Sequence, residues 1–388
     1  MAPNLRDLNE EFIQYCQKNE LEKVRASLTL EVDVNTVSEN GSMSCLTIAA
    51  YKNNSELLDV LLSTPAINVN QTIDAGGVHE FVSGRQWTAL MIACCNGNSN
   101  TVSRLVKEEG LDFNYQDNVG YSAAIWASAN GHTECVRVLA QTGKVDWNVR
   151  NRWGQTPLYL ALYFGHSDIV DILVWIPGID FNVKRKTGET LAQAAVKNGV
   201  VRSVDTFANQ EKFDCWNVSD KNGDTPVMMA FKSGKTDIVQ ILVGCPRVDL
   251  TIRDKEGWTL VMRTIAGKEL CECWDCLTPG NANCHCSDLT KIILARLDKS
   301  YTGSTLARIA VEVLEEEDIK VLFQSEEVDW NETVENEDPA ILWSLNNDKL
   351  NLVRLLLESP TTNINIRDRE GWSFLVRAIS KQDLGEKT

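Results

Sequence analysis

Histidine is scarce: four residues in a chain of 388 leave little material for acid–base or metal chemistry. Two of them, His132 and His166, directly follow glycines of a recurring turn, and His79 and His285 lie in irregular segments. No phosphate-binding glycine loop, dinucleotide fingerprint, zinc-protease helix or nucleophile elbow appears, so intrinsic catalysis is not expected. Positive charge is also short. Thirty-eight Lys and Arg against 54 Asp and Glu give a formal charge of -16, a field that repels a phosphate backbone and argues against nucleic acid as a partner. The longest apolar run, around Ile169 to Ile179, is cut by Asp171, Pro177 and Gly178, which excludes membrane insertion through it. The opening residues hold no apolar core of signal-peptide length. The chain is therefore expected in a reducing compartment, the cytoplasm, with the nucleus as alternative.

Internal repetition is what the sequence does have. Gly120, Gly154, Gly188, Gly223 and Gly257 form one ladder, and Gly97, Gly131, Gly165, Gly199 and Gly234 a second, in steps of 34 or 35 residues. Six places before the first ladder stand Asn114, Asn148, Asn182, Asn217 and Thr251, with Asn365 before Gly371. Between the ladders lies a helix, a glycine stop and a second helix. Thr156 has the hydroxyl to cap the first helix, with Pro157 at the first helical position, where a missing N–H costs nothing. Ile169, Val170, Ile172 and Leu173 form an apolar stripe that one helix pair cannot bury, so neighbouring units must cover it.

Thr156-Pro157-Leu158-Tyr159-Leu160-Ala161, Thr225-Pro226-Val227-Met228-Met229-Ala230 and Thr88-Ala89-Leu90-Met91-Ile92-Ala93 resemble the T-P-L-H-x-A signature of the ankyrin repeat family. The resemblance implies an all-α solenoid of about ten helix-turn-helix units with finger-like β-turns, spanning 1–388 as a single domain and elongated in solution. Units are placed at about 5–36, 37–70, 71–115, 116–149, 150–183, 184–218, 219–252, 253–298, 299–332 and 333–366. Residues 371–388 read as a half repeat, either a C-terminal cap or the start of further chain.

Three departures from the period stand out. The finger at 71–86 carries extra residues, either a surface loop or a functional insert. Acidic residues gather at Glu315 to Asp318 and at Glu326 and Glu327, where the repeat is degenerate and a solvated face is the simplest reading. A second insert, 268–287, places Cys271, Cys273, Cys276, Cys284, His285 and Cys286 close together. Cys273 and Cys276 with Cys284 and Cys286 have the form of two thiolate turns brought together by Pro279-Gly280, so one structural zinc is expected there. Redox-active thiols or disulfides remain alternatives, and Cys271 or His285 can replace a ligand.

The family resemblance implies that partners dock on a concave face of fingers and first helices. On the fingers the sequence places a basic ridge, Arg150 and Arg152, then Lys184, Arg185 and Lys186, with Trp153 and Tyr121 beside it, and Trp87 and Trp258 stand on the same binding face, directly after the ladder-glycine place of other fingers. Aromatic and Arg side chains make strong anchors because they remove large area from water or bring several donors. The expected function is a monomeric, non-catalytic scaffold that binds a protein or peptide, acidic or phosphorylated. Alternatives are the recognition part of a larger enzyme, or a metal- or redox-responsive regulator acting through the insert. Trp147, Trp216, Trp330, Phe113 and Phe181 replace the aliphatic residue of the D-x-N element and are expected to pack between fingers.

Overall fold

Ser44, Thr88, Ser122, Thr156 and Thr190 each accept, through the side-chain hydroxyl, the backbone N–H three residues further on. These bonds satisfy one of the orphan donors of a helix N-terminus and start the first helix of five units, whereas Thr225 makes no such bond before its helix. Pro157 occupies the first helical position after Thr156, as its spacing predicts. The computed structural model describes residues 5–30, 32–38, 41–74, 86–260, 338–359 and 362–385, with the single positions 263, 307, 311, 319, 330 and 331.

Seventeen helices occur among the described residues. They fall into two compact units, residues 1–215 and 216–388. The first unit contains α1 (Leu5–Lys18), α2 (Leu21–Leu28), α3 (Cys45–Tyr51), α4 (Ser55–Leu62), α5 (Ala89–Asn96), α6 (Ser99–Leu105), α7 (Ala123–Ala129), α8 (Thr133–Thr142), α9 (Pro157–Tyr163), α10 (Ser167–Leu173), α11 (Leu191–Asn198) and α12 (Val201–Ala208). Odd-numbered helices pack on one another in sequence and even-numbered helices form a second row, which makes this unit a stack of helix pairs. The second unit contains α13 (Pro226–Lys232), α14 (Thr236–Gly244), α15 (Ala340–Asn346), α16 (Leu350–Glu358) and α17 (Phe374–Gly385), with α17 packed on α15. No helix among the described residues is long and apolar enough to cross a membrane.

The stripe predicted on α10 is buried at Ile169, Val170 and Leu173 and half-buried at Ile172. Trp147, Trp216, Trp330, Phe113 and Phe181 are all buried, as expected of residues packed inside the stack. The fingers are short turns closed by bridges Val37 to Ser44, Lys184 to Thr190 and Arg367 to Ser373. One finger is longer: β1 (Ile73–Asp74) pairs antiparallel with β2 (Gln86–Trp87), with Ile73 opposite Trp87. Residues 75–85, which complete that insert, lie outside the described residues.

Successive units are joined at both ends. At the finger end, the Asn148 amide donates to the Gly178 carbonyl at 2.8 Å, and its oxygen accepts the Asp180 N–H at 2.8 Å. Asn114 does the same with Lys144 and Asp146, and Asn217 with Arg247 and Asp249. Aspartate cannot make both bonds, because it has no donor. At the turn end, His132 and His166 place Nε2 2.9 Å from the Cys95 carbonyl and 3.0 Å from the Ala129 carbonyl. Their rings lie against Gly97 and Gly131 of the preceding unit.

Gly131 is left-handed, with φ +77°, and a Cβ there would sit 2.7 Å from the His166 ring. Gly165 is equally left-handed, but its Cβ would meet only Val200 at 3.5 Å. Alanine at either position costs about 1–2 kcal/mol for the backbone conformation alone. Gly131→Ala is expected to cost at least about 1 kcal/mol more than Gly165→Ala, because the His166 ring must also move. Urea unfolding of the two variants measures the difference, and equal midpoints would refute the histidine contact.

Candidate binding face

The Asn148 clasp brings the finger of one unit beside the next, and a second backbone bond, from the Lys186 N–H to the Trp153 carbonyl at 3.1 Å, continues the alignment. Arg150, Arg152, Lys184, Arg185 and Lys186 are thereby carried on adjacent fingers of the first unit. Their surroundings differ. Arg150 is exposed and pairs with Asp180 at 2.9 Å. Arg152 stacks its guanidinium 4.4 Å from the Trp153 ring centre and, like Lys184 and Lys186, is exposed and makes no ion pair among the described residues. Trp153 is half-buried and meets Tyr121 edge-on at 6.0 Å, and Tyr121 packs on Trp126 of α7 at 4.7 Å.

Arg185 turns inward. Its guanidinium lies 5.6 Å from the Tyr159 ring centre and 5.9 Å from that of Tyr163, and Nη1 donates to Glu189 Oε2 at 3.3 Å. Glu189 also accepts the Tyr159 hydroxyl at 2.5 Å and Lys197 Nζ at 2.8 Å. Burial would push the Glu189 carboxyl up, but donors from Lys197, Tyr159 and Arg185 outweigh it and hold it below the ordinary range. The Tyr159 hydroxyl is pushed up, first by burial and then by Glu189. Arg185 is thus largely a structural member of this cluster, which removes most of it from the exposed ridge.

Trp87 is not exposed on the binding face as expected. It is 0% exposed, with its indole Nε1 donating to Asp117 Oδ2 at 3.2 Å and its ring edge-on to Trp126 at 4.7 Å. The β1–β2 pairing and the following unit cover it, so Trp87 belongs to the core. Trp258 lies in the second unit, half-buried, with the Arg263 guanidinium 5.5 Å from its ring centre. Arg263 is held by Asp254 and Glu256, and the same arrangement recurs as Trp372, Arg377, Asp368 and Glu370. Cys273, Cys276, Cys284 and Cys286, and the acidic stretch 315–327 apart from Ile319, lie outside the described residues. Among the described residues no group of three His, Cys, Asp or Glu is placed to hold a metal ion.

Sequence reasoning missed Tyr159, Tyr163, Phe164, Glu189 and Lys197, which adjoin the ridge. One signal was available. Asn96, Asn130 and Asn198 recur at the end of the first helix, and Phe164 stands in that register instead.

Replacing Glu189 with Gln keeps the shape and removes the charge that Arg185 and Lys197 face. The folded carboxyl titrates below its unfolded value of about 4.3. Its contribution is therefore complete above that pH and lost as the pH falls through the folded value. At neutral pH the native protein is expected to exceed Glu189→Gln by about 1–2 kcal/mol in urea unfolding. The gap should close in acid, and a gap independent of pH would show that the charge contributes nothing.

The family model described as ankyrin repeats, three copies, matches residues 12–117, 90–185 and 175–254. No curated protein matches the chain. The matched segments together run from residue 12 to 254, well over half of the sequence, and coincide with the capped helix pairs and Asn-clasped fingers described above. On that agreement of sequence family and stacked helix pairs, the chain belongs to the ankyrin repeat family.

Proposed function

We propose that the chain is a non-catalytic scaffold whose first-unit finger ridge binds an acidic or phosphorylated segment of a protein partner. Ankyrin repeats are in general protein-interaction modules. The observation that carries the specific reading is the clustering of three exposed cations on adjacent fingers, joined by the bond from the Lys186 N–H to the Trp153 carbonyl. Arg150, Arg202, Lys232, Arg263 and Arg377 all have carboxylate partners, whereas Arg152, Lys184 and Lys186 on neighbouring fingers make no ion pair among the described residues. A carboxylate or phosphate there displaces no internal partner, and Arg152 is oriented by its stacking on Trp153. His132 and His166 each engage Nε2 with a carbonyl of the preceding unit, which favours a structural over a catalytic role.

In the same reading the chain comprises about ten units and two inserts, acts as a monomer in the cytoplasm or nucleus, and uses insert 268–287 to hold one structural zinc through Cys273, Cys276, Cys284 and Cys286. The thiol spacing supports the zinc. Elemental analysis of protein purified without chelator is expected to find one zinc per chain, released as the pH falls because thiolates must be deprotonated to bind. A content far below that would favour the redox or disulfide alternatives.

Arg152→Glu with Lys184→Glu and Lys186→Glu tests the ridge, with a fluorescent glutamate-rich peptide as probe. Exposed pairs contribute about 0.2–1 kcal/mol each, so losing three weakens binding about 3- to 150-fold. The native interaction should also weaken with salt, since screening acts over about 8 Å at physiological ionic strength. Unchanged affinity in the triple variant would remove the ridge from the binding face.

A further inference from the structure

Below the ridge, the first helix of the 150–183 unit carries an aromatic step. Tyr163 and Phe164 are 42% and 55% exposed, with ring centres 5.2 Å apart and edge-on. They connect to the basic fingers through Arg185, whose guanidinium lies 5.9 Å from the Tyr163 ring centre. The repeat does not require these rings. Asn130 and Asn198, one repeat before and after Phe164, each donate their amide to a carbonyl of the preceding unit, to Cys95 at 3.0 Å and to Leu162 at 2.8 Å. Phe164 forgoes that bond and leaves an apolar ring in water. Two adjoining aromatic faces at the foot of a basic ridge form a surface of mixed character, with charge above and apolar area below.

We infer that this step is a second subsite of the proposed ridge, and that the partner segment is an acidic run with an aromatic side chain that lies on Tyr163 and Phe164. The inference rests on the ridge reading, and charge complementarity with Arg152, Lys184 and Lys186 sets the acidic part. The path from Arg185 through Tyr163 to Phe164 is about 11 Å, so Phe164 lies no more than about three residues of extended chain, at about 3.3 Å each, from the Arg185 guanidinium. Arg185 ties the aromatic step to the Lys184 and Lys186 finger, so the aromatic residue stands within a few positions of the acidic run, about three being the spacing probed in both directions.

Two families of synthetic peptide serve as probes, each a short glutamate run in a Gly/Ser frame, with phenylalanine or serine about three residues to either side. Burying part of a phenylalanine ring should tighten binding about five- to tenfold in one orientation. Phe164→Asn, which installs the residue of positions 130 and 198, should abolish that advantage, leave the serine peptide's affinity unchanged and keep the thermal midpoint at or above the native value. Tyr163→Ala, matching Ala129, gives a second variant with the same expectation for the peptide pair. Equal affinity of both peptides for the native protein, or a phenylalanine advantage that survives both variants, overturns the subsite while leaving the ridge intact. If neither peptide binds in a salt-dependent way, the ridge itself fails.

Discussion

The double hydrogen bond of one asparagine side chain, made by Asn114, Asn148 and Asn217, is the constraint on which the stacking of these fingers depends. Asn148 donates to Gly178 and accepts from Asp180, so the base of one finger is completed only by the next unit. A helix pair by itself leaves both its apolar stripe and these finger groups unsatisfied, and a buried unpaired backbone group costs about as much as the net gain from several bonds. At the turn end the His132 and His166 rings close the same units over glycines that have no room for a side chain. Spacing between fingers is thereby set by backbone and clasp geometry, and the side chains mounted on them can vary without disturbing it.

That freedom is used differently along the chain. Beside Trp258 and Trp372 the Arg263 and Arg377 guanidiniums are held by carboxylates of their own unit, and each caps the aromatic ring. Along the fingers of the first unit, three cations remain without such partners and one is presented flat on Trp153. The chain as a whole is strongly negative. An acidic ligand is repelled at long range and attracted only within a few ångströms of the ridge, so recognition there depends on local fit more than on steering.

Departures from the repeat mark where structural demand has been set aside. An asparagine that ties two units together is well suited to its place, as Asn130 and Asn198 demonstrate. Phe164 gives up that bond and exposes an apolar ring beside Tyr163. Glu189 is the opposite case: it occupies the place before the capping Thr190 that holds Gln155 one step of the ladder earlier and Tyr121 two steps earlier, and it gathers Tyr159, Arg185 and Lys197 into a structural cluster.

The sequence by itself determined the period, the hydroxyl caps, the left-handed glycines and the need for stacking, because each is a local requirement of backbone geometry or of an apolar stripe. It also placed the basic residues on adjacent fingers, since a register of 34 residues carries equivalent positions to neighbouring sites. Which of those side chains face a ligand was decided only in three dimensions. Trp87 and Tyr121 occupy the same place in the repeat, yet Trp87 is sealed by a hairpin, Trp126 and Asp117, while Tyr121 is half-buried beside Trp153. Arg185 and Lys186 are chain neighbours, and one is drawn under by Glu189 and two tyrosines while the other stays in solvent. Exposure and pairing are properties of contacts between units, and a repeat written in one dimension specifies that such contacts occur without specifying which side chain each of them consumes.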